Sequence, residues 1–378
     1  MSLKASLVLT TINDPELLEN YFENFRKYDH LDQVKVFCIP DKKTPEKAYK
    51  RCADLQSRGF DIICPTLKEQ EEFLDRLEFP PYLIPYNSDN RRNIGYLMAL
   101  DAGTDFLISI DDDNYCTMDE DVFIKHAIVC DSEKKQKVIN SDIGWYNICE
   151  LLEYNKNFTP HPRGYPYYAR HLEKKNTVDE ELVNVVINEG LWLGDPDVDA
   201  ISWLVKPVIG KKFKGKSVIL GENTWCPINT QNTSLHMDLI PCFYYIRMGY
   251  NINGIDIDHF GDIFSGYFVQ ACVKHLGGHI RFGNPIALHR RNSHNYMKDA
   301  HSEWMCILLL NDLLPWLTTE IKLEGNNYID SFNSLSYCLQ DVVEQFTGSI
   351  WTDSTKAYFH QIAHYMRQWT KVCDRIIR

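Results

Sequence analysis

Asp105-Phe106-Leu107-Ile108-Ser109-Ile110-Asp111-Asp112-Asp113-Asn114 is an apolar run that stops in three consecutive carboxylates. Its length, its Ile, Leu and Phe content and the Gly103 turn before it predict a buried strand. Three acids at the end of such a strand repel one another unless a cation or a positive partner sits among them. Two readings stand on these residues alone: a solvated acidic turn, or hard oxygen ligands for Mg²⁺ or Mn²⁺ carrying a substrate phosphate.

The chain before this stretch alternates strands and helices. Ser6 to Thr11 reads as a strand, and Leu17, Leu18, Tyr21, Phe22 and Phe25 recur at helical spacing behind the cap-like Asn13-Asp14-Pro15-Glu16. Val34 to Ile39 and Phe60 to Cys64 are two further strands, separated by a helix from Thr44-Pro45-Glu46 to about Ser57. A short helix over Glu69 to Leu77 and a Pro-rich loop over Phe79 to Pro85 follow. A helix over Asn87 to Asp101, opening with Arg91-Arg92, feeds the acidic strand. This alternation predicts an α/β fold with a Rossmann-like, mostly parallel sheet flanked by helices. Ligands of open α/β sheets bind outside the carboxyl ends of strands, where the triplet lies. Arg91 and Arg92 either reach a phosphate from that rim or form an ordinary exposed pair. No GxGxxG follows the first strand, which disfavours a dinucleotide oxidoreductase, and the one GxxxxGK[ST] string, Gly210 to Ser217, runs into the basic, Gly-containing hairpin read over Phe213 to Ser217, which disfavours a P-loop NTPase. A divalent cation then remains as the means of holding a diphosphate.

Composition narrows the class. The 378 residues are 44% hydrophobic and 12% aromatic, enough for a substantial core, and the net charge of −12 argues against a nucleic-acid surface or a polybasic membrane patch. No apolar run reaches the ~20 residues of a bilayer span, and the N-terminus turns polar too soon for a signal peptide. The 12 cysteines are scattered singly without a CxxC pair, neither a zinc pattern nor a disulfide framework. These features predict a protein of a reducing cytoplasm.

Three later segments carry unusual chemistry. Pro162-Arg163-Gly164-Tyr165-Pro166-Tyr167-Tyr168-Ala169-Arg170 sets two Arg forks among rigid aromatics, as phosphate and sugar sites do and as a Pro-braced surface loop also does. Asn188-Glu189-Gly190-Leu191-Trp192-Leu193-Gly194-Asp195-Pro196-Asp197-Val198-Asp199-Ala200 predicts a loop over a site or a tight turn. Asp262 opens an apolar helix, where it serves either as a cap or as a functional acid. His289, followed by Arg290, ends a strand as a ligand or as a satisfied histidine. From residue 300 the pattern becomes helical and aromatic, with no polar constellation, and reads as a region packed on the core or forming an oligomer contact. Residues 1–299 are accordingly read as the catalytic domain and residues 300–378 as a helical C-terminal region.

Taken together, the segments resemble the reversibly glycosylated polypeptide family, which includes the plant UDP-arabinopyranose mutases. The matching blocks are Asp111 to Asp113, Arg163 to Pro166, Gly190 to Leu193, Pro196 to Ala200, Leu204 to Pro207, Asp262 to Tyr267 and His289-Arg290, in the family's order. One departure is Gly261-Asp262, where the family has two acids. The resemblance implies a GT-A-like nucleotide-sugar fold, a UDP-sugar substrate and Mn²⁺ or Mg²⁺ held by the triplet. It implies that Arg163 or Arg170 lies at the sugar site, in a segment whose Arg becomes glycosylated in the family. The expected roles are Asp111, Asp113 and His289 at the metal, and Arg91, Arg92, Asp112, Trp192, Asp197, Asp199 and Arg290 around the nucleotide sugar. Asp262, Arg163 and Arg170 are expected at the reacting groups. Glycosyl transfer to an unidentified acceptor is the leading expectation. A UDP-sugar mutase with self-glycosylation is the alternative, and an inactive nucleotide-sugar-binding protein the third.

Overall fold

The computed structural model describes residues 2–252, 254–291 and 295–378. Strands β1 (Ala5–Thr11), β2 (Val34–Pro40), β3 (Asp61–Ile63) and β4 (Phe106–Ile110) lie parallel in the order β3-β2-β1-β4. Between them run helices α1 (Leu17–Lys27), α2 (Glu46–Ser57), α3 (Leu67–Arg76) and α4 (Arg92–Asp101). β1, β2 and β4 are buried on both faces. Leu7, Leu9, Val36 and Cys38 belong to one core with Leu18, Phe22 and Leu55 of α1 and α2. Val8, Phe37 and Ile39 belong to another with Leu74, Ile94 and Leu97 of α3 and α4. Double burial is why these strands read as unbroken apolar runs and not as alternating ones. α3 begins at a capping box, in which the Glu69 N–H donates to the Thr66 side chain and the Glu69 carboxylate accepts from the Thr66 N–H.

Beyond β4 the sheet becomes mixed. Asn232–His236 runs antiparallel between β4 and Val185–Gly194, which pairs in parallel with His279–His289; Val218–Ile219 closes that edge. The parallel arrangement expected from the βα alternation therefore holds for the first four strands and stops where the antiparallel strand enters.

The expectation of a loop over residues 188–200 is corrected. Ten residues, Val185–Gly194, form a strand near the middle of the sheet, and only the Asp195 to Asp199 stretch turns. The polar and glycine residues that suggest a loop are satisfied by distant partners. Buried Glu189 accepts from the Asn229 N–H at 3.2 Å, and Asn188 is hydrogen-bonded by Arg281. Gly190 is present because a Cβ there would stand 2.3 Å from Asn232 Nδ2 and 2.4 Å from the Pro285 carbonyl.

The helical region begins at Tyr296, slightly before the expected boundary, and consists mainly of Tyr296–Pro315, Tyr328–Val343 and Asp353–Ile377. It has no separate core. Leu309, Leu313, Leu335, Met366 and Trp369 join the same cluster as Ile94, Leu97 and Ile240, and Trp369 Nε1 donates to the Ile240 carbonyl at 2.9 Å. Among the described residues, no helix is long and apolar enough to cross a membrane.

Candidate functional site

A cleft of ≈ 430 Å³ opens at the carboxyl ends of β1, β2 and β4 and is lined by all three acids of the triplet. The acids do not point to one spot. Asp111 Oδ1 accepts from Arg92 Nη2 at 2.5 Å, and Asp112 Oδ2 accepts from Thr11 Oγ1 at 2.7 Å and Asn13 Nδ2 at 3.3 Å. Asp113 turns to His289, whose Nε2 lies 3.3 Å from its Oδ2. Arg92 is set at the start of α4, almost fully buried, and also donates to Thr230 Oγ1 at 2.6 Å. It is therefore neither an exposed cation nor a free phosphate ligand, but the positive partner of Asp111. Burial raises the Asp112 carboxyl above its usual range. Burial works the same way on Asp113, yet the contact with His289 leaves that carboxyl below its usual range.

Strand pairing brings His289 to this place. Asn114–Cys116, just past the triplet, pairs antiparallel with the end of His279–His289, placing His289 opposite Asn114. The Arg290 N–H then donates to the Asp113 carbonyl at 3.0 Å. His289 Nδ1 lies 2.7 Å from the Asp195 carbonyl, which can only accept, so this nitrogen carries a proton. Nε2 is then either a lone pair facing a carboxylate oxygen or a second N–H donated to it. Burial disfavours the imidazolium, but Asp113 outweighs burial and shifts the histidine above its usual value.

The opposite wall is built on Arg163. Its Nε and Nη2 reach the Asp197 carboxylate at 2.8 and 3.2 Å, and its Nη1 and Nη2 reach Asp262 at 3.0 and 2.6 Å. The His259 carbonyl accepts the remaining Nη1 proton. All five N–H donors of the guanidinium are thereby engaged. Asp262 sits in the first turn of the buried helix Gly261–His275, and burial raises its carboxyl despite Arg163. Asp111 adds to that rise, so the charges of the two walls act on each other across the cleft.

The Asp195 to Asp199 turn divides three acids among three tasks. The Asp195 carbonyl orients His289, and Asp197 clasps Arg163. Asp199 accepts from the Ser202 N–H at 2.8 Å, capping the helix Ala200–Val205, and pairs with Arg170 at 2.5 Å. Arg170, stacked 3.7 Å from the Tyr167 ring, is bound up in that cap and does not line the cleft; nor does Asp199. Trp192 is buried within its strand, and Arg290 lies over Tyr115 at 4.6 Å; both are off the cleft wall. Arg91 lines the cleft but is held by Gln70 and stacks on Tyr86.

Other lining residues were not anticipated from sequence. Thr11, Asp41 and Tyr245 reach the cleft from strand ends and a loop with no local motif. Glu303 comes from the helix Tyr296–Pro315, in the region expected to carry no polar group of consequence. It is buried and accepts from the Ala200 N–H at 2.8 Å, and burial pushes its carboxyl up to about 7. A lone acid facing inward on an apolar helix was its only available signal.

Comparison with known proteins covers the whole chain. The probable UDP-arabinopyranose mutase 1 of Pisum sativum is 23% identical over 378 residues, spanning 98% of this chain and 90% of the relative. The corresponding Zea mays protein is 25% identical with the same coverage. Among solved structures, glucosyl-3-phosphoglycerate synthase from Mycobacterium tuberculosis, in complex with Mn²⁺ and UDP-glucose, matches 82% of this chain and 79% of that chain at 9% identity and a TM-score of 0.40. The sequence profile described as reversibly glycosylated polypeptide matches residues 5–377, from β1 through the last helix and both walls of the cleft. The chain belongs to the reversibly glycosylated polypeptide family.

Proposed function

We propose that this protein binds a UDP-sugar in the cleft and interconverts ring forms of the sugar, as a UDP-sugar mutase. The observation that carries the reading is the arrangement of one cleft between two unlike walls. Asp111, Asp112, Asp113 and His289 form one wall, and the Arg163–Asp197–Asp262 cluster forms the other. Mutase chemistry takes precedence over transfer to an acceptor because the curated relatives that span this chain carry the mutase name.

The donor set suits a hard divalent cation. Asp113 and His289 present a carboxylate oxygen and an imidazole nitrogen 3.3 Å apart, a pair that needs a proton or a cation between its lone pairs. Asp113 and His289 would hold Mn²⁺ or Mg²⁺, with Asp111 reaching it directly or through water. Such an ion supplies charge neutralisation for a leaving diphosphate.

The chain's own residues supply the rest. Arg92 holds Asp111 in place, and Thr11 and Asn13 orient Asp112 toward the ribose or sugar. On the far wall, Asp262, locked by Arg163, accepts from a sugar hydroxyl. In the mutase reaction the bond between the anomeric carbon and the diphosphate oxygen breaks. Another sugar hydroxyl bonds to the anomeric carbon as the bond from that carbon to the original ring oxygen breaks, its proton passing to the released oxygen, and the same diphosphate recaptures the anomeric carbon, with no net redox change.

The test is incubation with Mn²⁺ and a panel of UDP-sugars, followed for isomerised UDP-sugar, free UDP and protein mass. A mutase produces isomerised UDP-sugar without stoichiometric UDP release. Stoichiometric UDP with a glycosylated acceptor, or with a protein mass increment and no isomerisation, would replace this reading with transfer. Asp111→Asn combined with Asp113→Asn is expected to abolish Mn²⁺-dependent UDP binding in calorimetry. Unchanged affinity in that variant would reduce the triplet to a turn.

A further inference from the structure

Cys38, Cys52 and Cys64 stand too far apart in sequence to show metal-ligand spacing, but the fold gathers them. β2 and β3 run parallel with Phe37 opposite Ile63, so the next residues, Cys38 and Cys64, are side by side. Side chains alternate along strands, which turns both thiols to the face covered by α2. On α2, Ala48, Cys52 and Leu55 form the buried stripe, and Cys52 meets the two thiols from above. The three Sγ atoms all lie within 4.8 Å of one another. Cys38 and Cys52 are buried and Cys64 is half-buried, so Cys64 marks the mouth of the cluster. Among the described residues, no other group of His, Cys, Asp or Glu ligand atoms converges this closely.

We infer that Cys38, Cys52 and Cys64 form a three-thiolate site for one thiophilic d¹⁰ cation of the Zn²⁺ and Cd²⁺ class, with its fourth position open beside Cys64. Thiolates select such ions over the hard Mn²⁺ and Mg²⁺ suited to the cleft. At ~2.3 Å per Zn–S bond, tetrahedral sulfurs stand roughly 3.8 Å apart, so closing onto an ion needs shifts of about an ångström or less. Hydrogen bonds from Cys38 and Cys52 lower the Cys64 thiol below its usual range. Binding forms three metal–sulfur bonds and releases the remaining thiol protons to solvent, with no oxidant involved. The ion would tie β2, α2 and β3 together at the edge of the sheet.

The test uses the full chain, reduced and stripped with EDTA, then titrated with Cd²⁺ while thiolate-to-metal charge-transfer absorption and bound metal are followed. The expected result is one Cd²⁺ per chain, unaffected by excess Mn²⁺. Cys64→Ser, at the half-buried position, should weaken Cd²⁺ binding by at least about a hundredfold, more than the loss of a group that only orients a ligand. Cys338→Ser, at a half-buried thiol elsewhere, should bind as the parent does. Absence of a stoichiometric signal in the parent, or a signal that survives in Cys64→Ser, overturns the assignment.

Discussion

Glu303 shows how a single buried acid sets a pH dependence. Its carboxyl lies at about 7 in the fold, raised chiefly by burial from a usual 4.5, so the folded chain holds a proton that the unfolded chain gives up. The sign follows from linkage: the stability is fully present below pH 4.5 and is lost as pH rises through about 7. Glu303→Gln keeps an acceptor for the Ala200 N–H and removes the titration. Relative to the parent, it is expected to gain up to about 3 kcal/mol at pH 8 and nothing at pH 4.5, measured by denaturant unfolding without substrate. An equal difference at both pH values would mean that Glu303 does not hold a proton in the fold. Arg163 is the counterexample among buried groups. With five donors matched to Asp197, Asp262 and His259, it makes two buried carboxylates tolerable, and that matching could not be seen in the Arg-Gly-Tyr-Pro string alone.

At the scale of elements, the first half of the fold was legible and the middle was not. β1, β2 and β4 announce themselves because both their faces are apolar, and α1 and α2 because each carries one apolar stripe. The strand Val185–Gly194 hides behind Asn188, Glu189 and Gly190, whose buried partners lie 40 or more residues away and leave no local trace. Gly190→Ala tests that explanation. The added methyl would press on Asn232 Nδ2, which donates to the Pro285 carbonyl at 2.9 Å, and on that carbonyl itself. Overpacking of this kind costs about 1–3 kcal/mol, so a clear loss of Cm with an unchanged m-value is expected. An alanine variant as stable as the parent would show that the strand has room there.

For the whole molecule, the division at residue 300 marks a change of element type within one core. Leu309, Leu313, Leu335, Met366 and Trp369 are buried in the sheet's own cluster. At roughly 1.5–3 kcal/mol for each buried side chain, they match the net stability of about 5–15 kcal/mol of a typical fold. A fragment ending at residue 299 is therefore expected to be insoluble or to lack a cooperative unfolding transition in circular dichroism. A soluble, cooperatively folded fragment would show that residues 1–299 form a domain without the helical C-terminal region. The triplet and its place at a strand end were legible because a run of carboxylates after apolar residues is a local signal. The cleft as a whole was not, since its walls draw on residues from Thr10 to Glu303. That spread has a consequence for synthesis. Until the ribosome has released about four fifths of the chain, the three aspartates emerge without His289, Arg163's clasp or the helix that seals the far wall. Arg92, Thr11 and Asn13 precede the triplet in the chain and can meet it at once, so what the nascent acidic tip awaits is His289 and the far wall, and the cleft is complete only once Glu303 has joined them.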